Sequence, residues 1–363
     1  MTTSRTFLVA LFYLVGFVCS AQPVTVVRGG ANAKPRQPQL CIDQDGAIFL
    51  AYGEGNEIFV VRSEDGQNFA SEVRVAQLPK LALGMRRGPR INISKNTVVV
   101  TAISHETGNL MAWNSTDAGD SWSQGVVVNS VPRSAREGLH GMASGPEGSV
   151  YLVWLDLRSG STEIYLSKSS NAGASWSENV RVYRSPSGTV CECCHPSVSV
   201  GPDGRVVVMW RNLVDGDRDM YLTSSDDGQS FDPPQKLGTG SWPLNACPMD
   251  GGDLSIDQDG QVTTVWRRQK TIYVSSADKP YEKPIGQGEQ PWIANASDGT
   301  WLLWLERRSG GLKCLQPDGK QNLLAAKAND PVIESGQDGA VVVAAWEEQV
   351  AGETRIVCQM LGQ

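Results

Sequence analysis

The sequence predicts an all-β chain folded as a β-propeller of seven blades. Three observations carry that prediction. A strand–turn–strand unit ending in an aromatic ring recurs along the chain. Glycine and tryptophan are abundant, at 38 and 11 of 363 residues. Long helical periodicity is absent between the units. Short strands joined by tight turns draw on glycine, and wide rings fill the space between packed sheets.

The unit opens with a short apolar strand, turns at Asp-Gly or an equivalent pair, and runs into a second strand. PQLCIDQDGAIFLAY ends at Tyr52, HGMASGPEGSVYLVW at Trp154 and HPSVSVGPDGRVVVMW at Trp210. GDLSIDQDGQVTTVW ends at Trp266, PWIANASDGTWLLW at Trp304 and PVIESGQDGAVVVAAW at Trp346. The second unit, PRINISKNTVVVTA, keeps the strands but loses Asp-Gly and the ring. Asp-Gly suits a two-residue hairpin because both positions tolerate positive φ. A third strand follows in each unit (EIFVV, NLMAW, EIYLS, DMYLT, TIYVS, GLKCL and TRIVC), and a weaker fourth in the early ones. Four-stranded units of about 40–55 residues read as propeller blades.

The last unit has three strands before Gln363, whereas PVTVV at Pro23–Val27 has no unit of its own. Pairing that strand into the last blade closes the ring and removes two open sheet edges. Six blades are the alternative if the short sixth and seventh units are not both complete.

Residues 1–21 read as an export signal, with Arg5 as the positive region, an apolar run from Phe7 to Val18 and small residues at Cys19-Ser20-Ala21. A lipid anchor on Cys19 is the alternative. The apolar run is too short to span a membrane. Residues 22–363 then form a single propeller domain, periplasmic or secreted, in a compartment where disulfides form. A net charge of −7 argues against a nucleic-acid partner.

Cleavage leaves seven cysteines, and an odd count leaves at least one thiol unpaired within the chain. Cys41, Cys314 and Cys358 fall in strand patterns and read as buried thiols. The others are clustered. Loops leading into the innermost strand of each blade share one face with the loops between second and third strands. On that face lie Cys191, Cys193, Cys194 and His195 (CECCH), Cys247 and Met249 (ACPM), and His140. Sulfur with imidazole suits Cu(I) or Zn(II), and a thioether beside vicinal thiols favours copper. The metal reading therefore takes Cys191, Cys193, Cys194, His195 and Cys247, with His140 as a further candidate, for copper-dependent redox chemistry or copper binding. A disulfide stapling blade four to blade five through Cys247 competes with it.

After the third strand the early units carry a second signature: STDAGDSW (Ser115–Trp122), SSNAGASW (Ser169–Trp176), SSDDGQSF (Ser224–Phe231) and RSEDGQNF (Arg62–Phe69). Their glycines, Gly66, Gly119, Gly173 and Gly228, lie 53 to 55 residues apart. This resembles the Asp-box, S-x-D-x-G-x-[ST]-W, of the BNR-repeat, sialidase-like propellers. In such a turn Ser and Asp side chains bond the backbone, glycine permits the bend and the ring plugs between strands.

The resemblance implies a sialidase-type propeller and, as a second functional reading, an exo-sialidase-type glycoside hydrolase. Arg90, Arg158 and Arg267 would grip an acidic sugar, because a guanidinium fork matches a carboxylate, and Asp156 would do acid–base work. Arg218, Asp217 and Glu306 are further candidates on the same face. A third reading is a non-catalytic propeller that binds a small molecule, glycan or protein at its rim or central pocket.

Overall fold

The computed structural model describes residues 21–30, 34–276 and 281–362. The expected signal segment lies outside these residues except for Ala21. The described chain forms seven four-stranded antiparallel sheets, so the seven-bladed reading holds and the six-bladed one does not.

Blade one comprises Arg36–Ile42, Ile48–Glu54, Glu57–Ser63 and Val73–Gln77. Blade two comprises Arg90–Ser94, Thr97–Ile103, Leu110–Ser115 and Val126–Val127. Blade three runs through His140–Ser144, Val150–Asp156, Glu163–Ser169 and Val180–Tyr183. Blade four has Ser197–Val200, Val206–Arg211, Met220–Ser225 and Gln235–Lys236. Blade five has Asp253–Ile256, Val262–Arg268, Thr271–Ser276 and Lys283–Gln287. Blade six has Glu289–Ala296, Gly299–Leu305, Leu312–Leu315 and Gln321–Ala325. Blade seven takes Asn329–Ser335, Val342–Val350 and Glu353–Gly362 from the end of the chain, and its outer strand is Val24–Arg28. Val24 pairs with Cys358 and Arg28 with Arg355, which is the expected ring closure. Fourth strands are present in every blade, including the late units where the sequence pattern is faint. Among the described residues the one helical element is a 3₁₀ turn at Pro146–Gly148, and no helix is long and apolar enough to cross a membrane.

The period-two alternation of each second strand sends its side chains to opposite neighbours. In blade four, Val206, Val208 and Trp210 pack toward blade three, and Val207 and Met209 toward blade five. The result is one apolar layer for each blade–blade interface. Blades one and two share Phe49, Ile58, Ile91 and Val100. Blades two and three share Ile103, Leu110, Leu152 and Trp154. Blades five and six share Val265, Ile272, Leu302 and Trp304, and blades six and seven Leu303, Leu305, Val342 and Trp346. Blades seven and one close the circle through Leu50, Tyr52, Val343 and Ile356. The second-strand rings Tyr52, Trp154, Trp210, Trp266, Trp304 and Trp346 are all buried within these layers.

The turns after the third strands are held by their own side chains. Ser115 Oγ accepts the Gly119 N–H and Asp117 Oδ1 accepts the Ser121 N–H, at 2.8 and 3.0 Å. Asn171 does the same work through its amide oxygen, accepting the Ser175 N–H at 2.9 Å. In blades one and four the register differs from the sequence expectation by one residue. The acceptors are Ser63 and Asp65, and Ser225 and Asp227, rather than Arg62 with Glu64 and Ser224 with Asp226. In blade one Ser63, one residue after Arg62, supplies the hydroxyl that caps the turn. Phe69, Trp122, Trp176 and Phe231 each seal the interface with the preceding blade. Among the described residues no such ring comes from blade five, and a cleft of about 590 Å³ lined by Leu222, Pro233 and Val262 lies between blades four and five.

Three innermost strands carry at their second position a left-handed residue followed by proline: Gln37-Pro38, Gln290-Pro291 and Asp330-Pro331, at φ 57°, 54° and 42°. Both features disfavour this backbone, so outside contacts must hold it. Glu347 Oε1 accepts the Gln37 N–H at 2.7 Å, and Asp250 Oδ2 accepts the Gln290 N–H at 2.8 Å. The second bond ties the loop before blade five to blade six.

Removing Val24–Arg28 strips a row of backbone hydrogen bonds and leaves Glu353–Gly362 as an open edge. The truncated chain is expected to melt at least about 5 °C lower and to self-associate in light scattering. An unchanged melting temperature with a monodisperse monomer would show that closure contributes little.

Candidate functional site

The segment Val190–Pro196 crosses from blade three to the innermost strand of blade four. Val190 N–H donates to Thr162 O at 3.0 Å and Cys191 N–H to Arg211 O at 3.1 Å, which fixes the segment between the two blades. Three sulfurs converge there. Cys191 and Cys194 lie 3.4 Å apart, Cys191 and Cys193 3.7 Å, and Cys193 and Cys194 4.0 Å. All three are buried, at 0%, 7% and 1% exposure. Met249, from the loop before blade five, packs against them. No pair among the described cysteines lies at bonding distance, and the seven are free thiols.

Two guanidiniums flank the cluster. Arg218 Nη1 donates to Cys191 Sγ at 3.0 Å. Arg211, 1% exposed, donates to the carbonyls of Asp250, Arg218 and Arg267. Contacts with the Cys193 and Cys194 sulfurs, with Arg211 and Arg218, hold the Cys191 thiol far below its ordinary range. Burial and the Cys191 charge push Cys194 up. The cluster is thus three sulfurs in mutual contact beside two cations, an arrangement that favours ionisation at Cys191.

The six residues expected to share one metal do not all meet. Cys191, Cys193 and Cys194 form the group whose sulfurs mutually approach within 4.8 Å. His195 leaves it and lines the central channel, its ring 5.8 Å from that of Trp292 in blade six. A Cβ on Gly251 would come within 2.5 Å of His195 Nδ1, so this glycine makes room for the imidazole. His140 also lines the channel, with Nε2 3.0 Å from Thr101 Oγ1. Cys247 stands exposed on the loop carrying Met249 and is not bonded to blade four. Adjacency in sequence did not decide side-chain direction: Pro196 leads into the innermost strand at Ser197, and its predecessor His195 lines the central channel.

The residues named for acidic-sugar binding are engaged within the rim. Asp156, fully buried, accepts from Ser134 Oγ, Trp154 Nε1 and Arg158 Nε at 2.7, 2.8 and 2.9 Å. Burial would raise its carboxyl, but these donors outweigh that and hold it low. Arg158 lies over Tyr165 at 3.9 Å. Arg90 donates to the carbonyls of Arg86, Gly88 and Pro89. Arg267 pairs with Glu289 at 2.7 Å and Asp250 at 3.5 Å. Glu306, in the turn after the second strand of blade six, meets Lys313 at 3.0 Å.

Sequence reasoning missed the channel interior. A cavity of about 530 Å³ follows the seven innermost strands to the turn side of the ring, where Pro146, Pro202, Gln258 and Gln337 line it. On the opposite side, buried Arg86 lies 4.4 Å over Trp292 and donates to Pro291 O. Asp253 and Glu334 line the cavity. Burial lifts Asp253 to about 7, against the N–H groups of Ile293 and Leu254 and the charges of Arg86 and Arg90. Burial and the Asp253 charge lift Glu334 to about 8. Both acids sit in GDLSID and PVIES, where an acid among apolar residues was the available signal.

No family model matches the chain, and no curated protein matches it. Solved structures do. A protein of unknown function from Dyadobacter fermentans is 17% identical, with 96% of this chain and 100% of that one covered, at a TM-score of 0.61. An α-L-arabinofuranosidase from Fusarium graminearum is 11% identical, with coverage of 94% and 98% and a TM-score of 0.53. A Hadza microbial sialidase, Hz136, is 12% identical, with coverage of 86% and 73% and a TM-score of 0.51. The fold is thus the propeller that sialidases also use.

Asp253 and Glu334 have folded values above the unfolded carboxylate range of about 4, so their protonated forms favour the folded state. That stability is complete below about pH 4 and is lost as pH rises toward 7 to 8. Glu347, lifted to about 7 by burial and Asp330, acts in the same direction. Buried neutral His140 and His195, held low by burial, act oppositely, losing stability as pH falls through about 6.5. Asp253→Asn with Glu334→Gln is therefore expected to remove part of the fall in melting temperature between about pH 4 and pH 8. An identical profile in wild type and double variant would contradict this.

Proposed function

We propose that this chain is exported by its N-terminal segment and holds a copper ion, as Cu(I), on Cys191, Cys193 and Cys194. The observation that carries the reading is the triangle of buried, unbridged sulfurs. A point in its plane lies about 2.2 Å from each sulfur, close to the roughly 2.3 Å of a metal–thiolate bond. The donors are soft, as Cu(I) prefers. Zinc usually takes four strong ligands. Here the fourth neighbour is the Met249 thioether, a weak and soft donor that suits copper better.

Charge balance supports the same reading. Three thiolates around a monovalent ion carry an excess of negative charge, and Arg211 and Arg218 stand against it. Deep burial favours holding the ion over turnover at an open coordination position. Fold kinship to an arabinofuranosidase and a sialidase supports a second reading, a carbohydrate-active propeller, tested by hydrolysis of fluorogenic arabinofuranosides and sialosides.

Reduced protein titrated anaerobically with Cu(I) is expected to take up about one equivalent and to keep it through desalting. Cys191→Ala and Cys194→Ala, checked for a native melting transition, are expected to lose it. Less than about a tenth of an equivalent on the wild-type protein would refute the copper site.

A further inference from the structure

The buried thiols have no direct contact with solvent comparable to that of Cys247, yet one loop connects the two environments. Residues 242–250 cross from blade four to blade five over the cluster. The loop is fixed at both ends. The Trp242 ring packs against the Arg211 and Arg267 guanidiniums, at 5.2 and 5.3 Å. Asp250, 1% exposed, accepts the Gln290 N–H and pairs with Arg267. Between these anchors Leu244 O accepts from Arg218 Nε at 3.0 Å, while Nη1 of the same guanidinium bonds Cys191 Sγ at 3.0 Å. One cation therefore joins the loop to the thiol cluster.

Two sulfurs on this loop span the step from solvent to cluster. Cys247 is exposed, and Met249, two residues on, is half-buried against the three thiols. We propose that Cys247 and Met249 are the intake ligands of the thiol site: Cys247 captures Cu(I) from a soft donor outside the protein, and Met249 passes it to Cys191, Cys193 and Cys194. The proposal rests on the copper reading of the buried cluster. Each step is a ligand exchange without change of oxidation state. The bond from Cu(I) to the outside donor breaks as the bond to Cys247 sulfur forms and the Cys247 proton leaves to solvent; the Cu–Cys247 bond then breaks as bonds to Met249 and the three buried sulfurs form, Cys247 regains a proton from solvent, and Cys193 and Cys194 give theirs up. Capture on Cys247 makes the inward step intramolecular, with an effective concentration in the millimolar range. The partner this chemistry fits presents Cu(I) on thiolate or thioether ligands, because such ligands exchange directly with a cysteine sulfur.

The test is the rate of Cu(I) transfer from its bicinchoninate complex to reduced protein, followed anaerobically by loss of the complex's colour. Cys247→Ser is expected to slow transfer at least about tenfold and to leave final occupancy and affinity as in wild type. Met249→Leu, which keeps the side-chain volume, is expected to slow it as well, and Cys247→Met to restore part of the rate. An unchanged rate in Cys247→Ser overturns the intake role. A fall in final occupancy or affinity also overturns it, since Cys247 would then be a resident ligand. Wild-type protein that takes up no Cu(I) overturns the copper reading itself, which separates the two failures.

Discussion

Everything in this molecule depends on burying both faces of each second strand between neighbouring blades. A single four-stranded blade has two apolar faces and cannot bury either alone. Each blade therefore needs a neighbour on both sides, and only a closed ring supplies one to every blade. The indole rings at the strand ends are wide enough to fill the wedge between twisted sheets. Closure through Val24–Arg28 gives blade seven its outer strand from the far end of the chain, so the last apolar layer joins both ends of the sequence.

That constraint divides the chain by role. Second and third strands are committed to packing. The turns beyond the third strands are committed to their own Ser and Asp hydrogen bonds, with a ring closing each early interface. Innermost strands have a free edge and tolerate proline, bulges and left-handed residues. The loops that feed them carry little of the core, so they are free to present thiols, imidazoles and guanidiniums. CECCH and ACPM lie in two such loops on either side of blade four.

The thiol cluster is held by cations and carbonyls. Arg211 spends its donors on three main-chain oxygens, and Arg218 divides its own between Leu244 O and Cys191 Sγ. Beside these charges a thiolate is stable despite burial. The same guanidinium that stabilises Cys191 also fastens the covering loop, so the proposed metal site and its proposed route of access share one contact.

The repeat, the number of blades, the closing strand and the clustering of cysteines were legible in the sequence alone. They rest on local rules: alternation at period two, Asp-Gly turns, and an aromatic ring at a fixed offset. The sequence did not determine which of six candidate ligands share a space. Cys191, Cys193 and Cys194 face Met249, whereas His195, the next residue, turns to Trp292 in blade six, and His140 turns to Thr101 in blade two. Those directions are set by Thr162, Arg211, Arg218 and Gly251, residues brought together from separate blades. Side-chain direction in an irregular loop follows from its packing partners, and only the closed ring brings those partners into place.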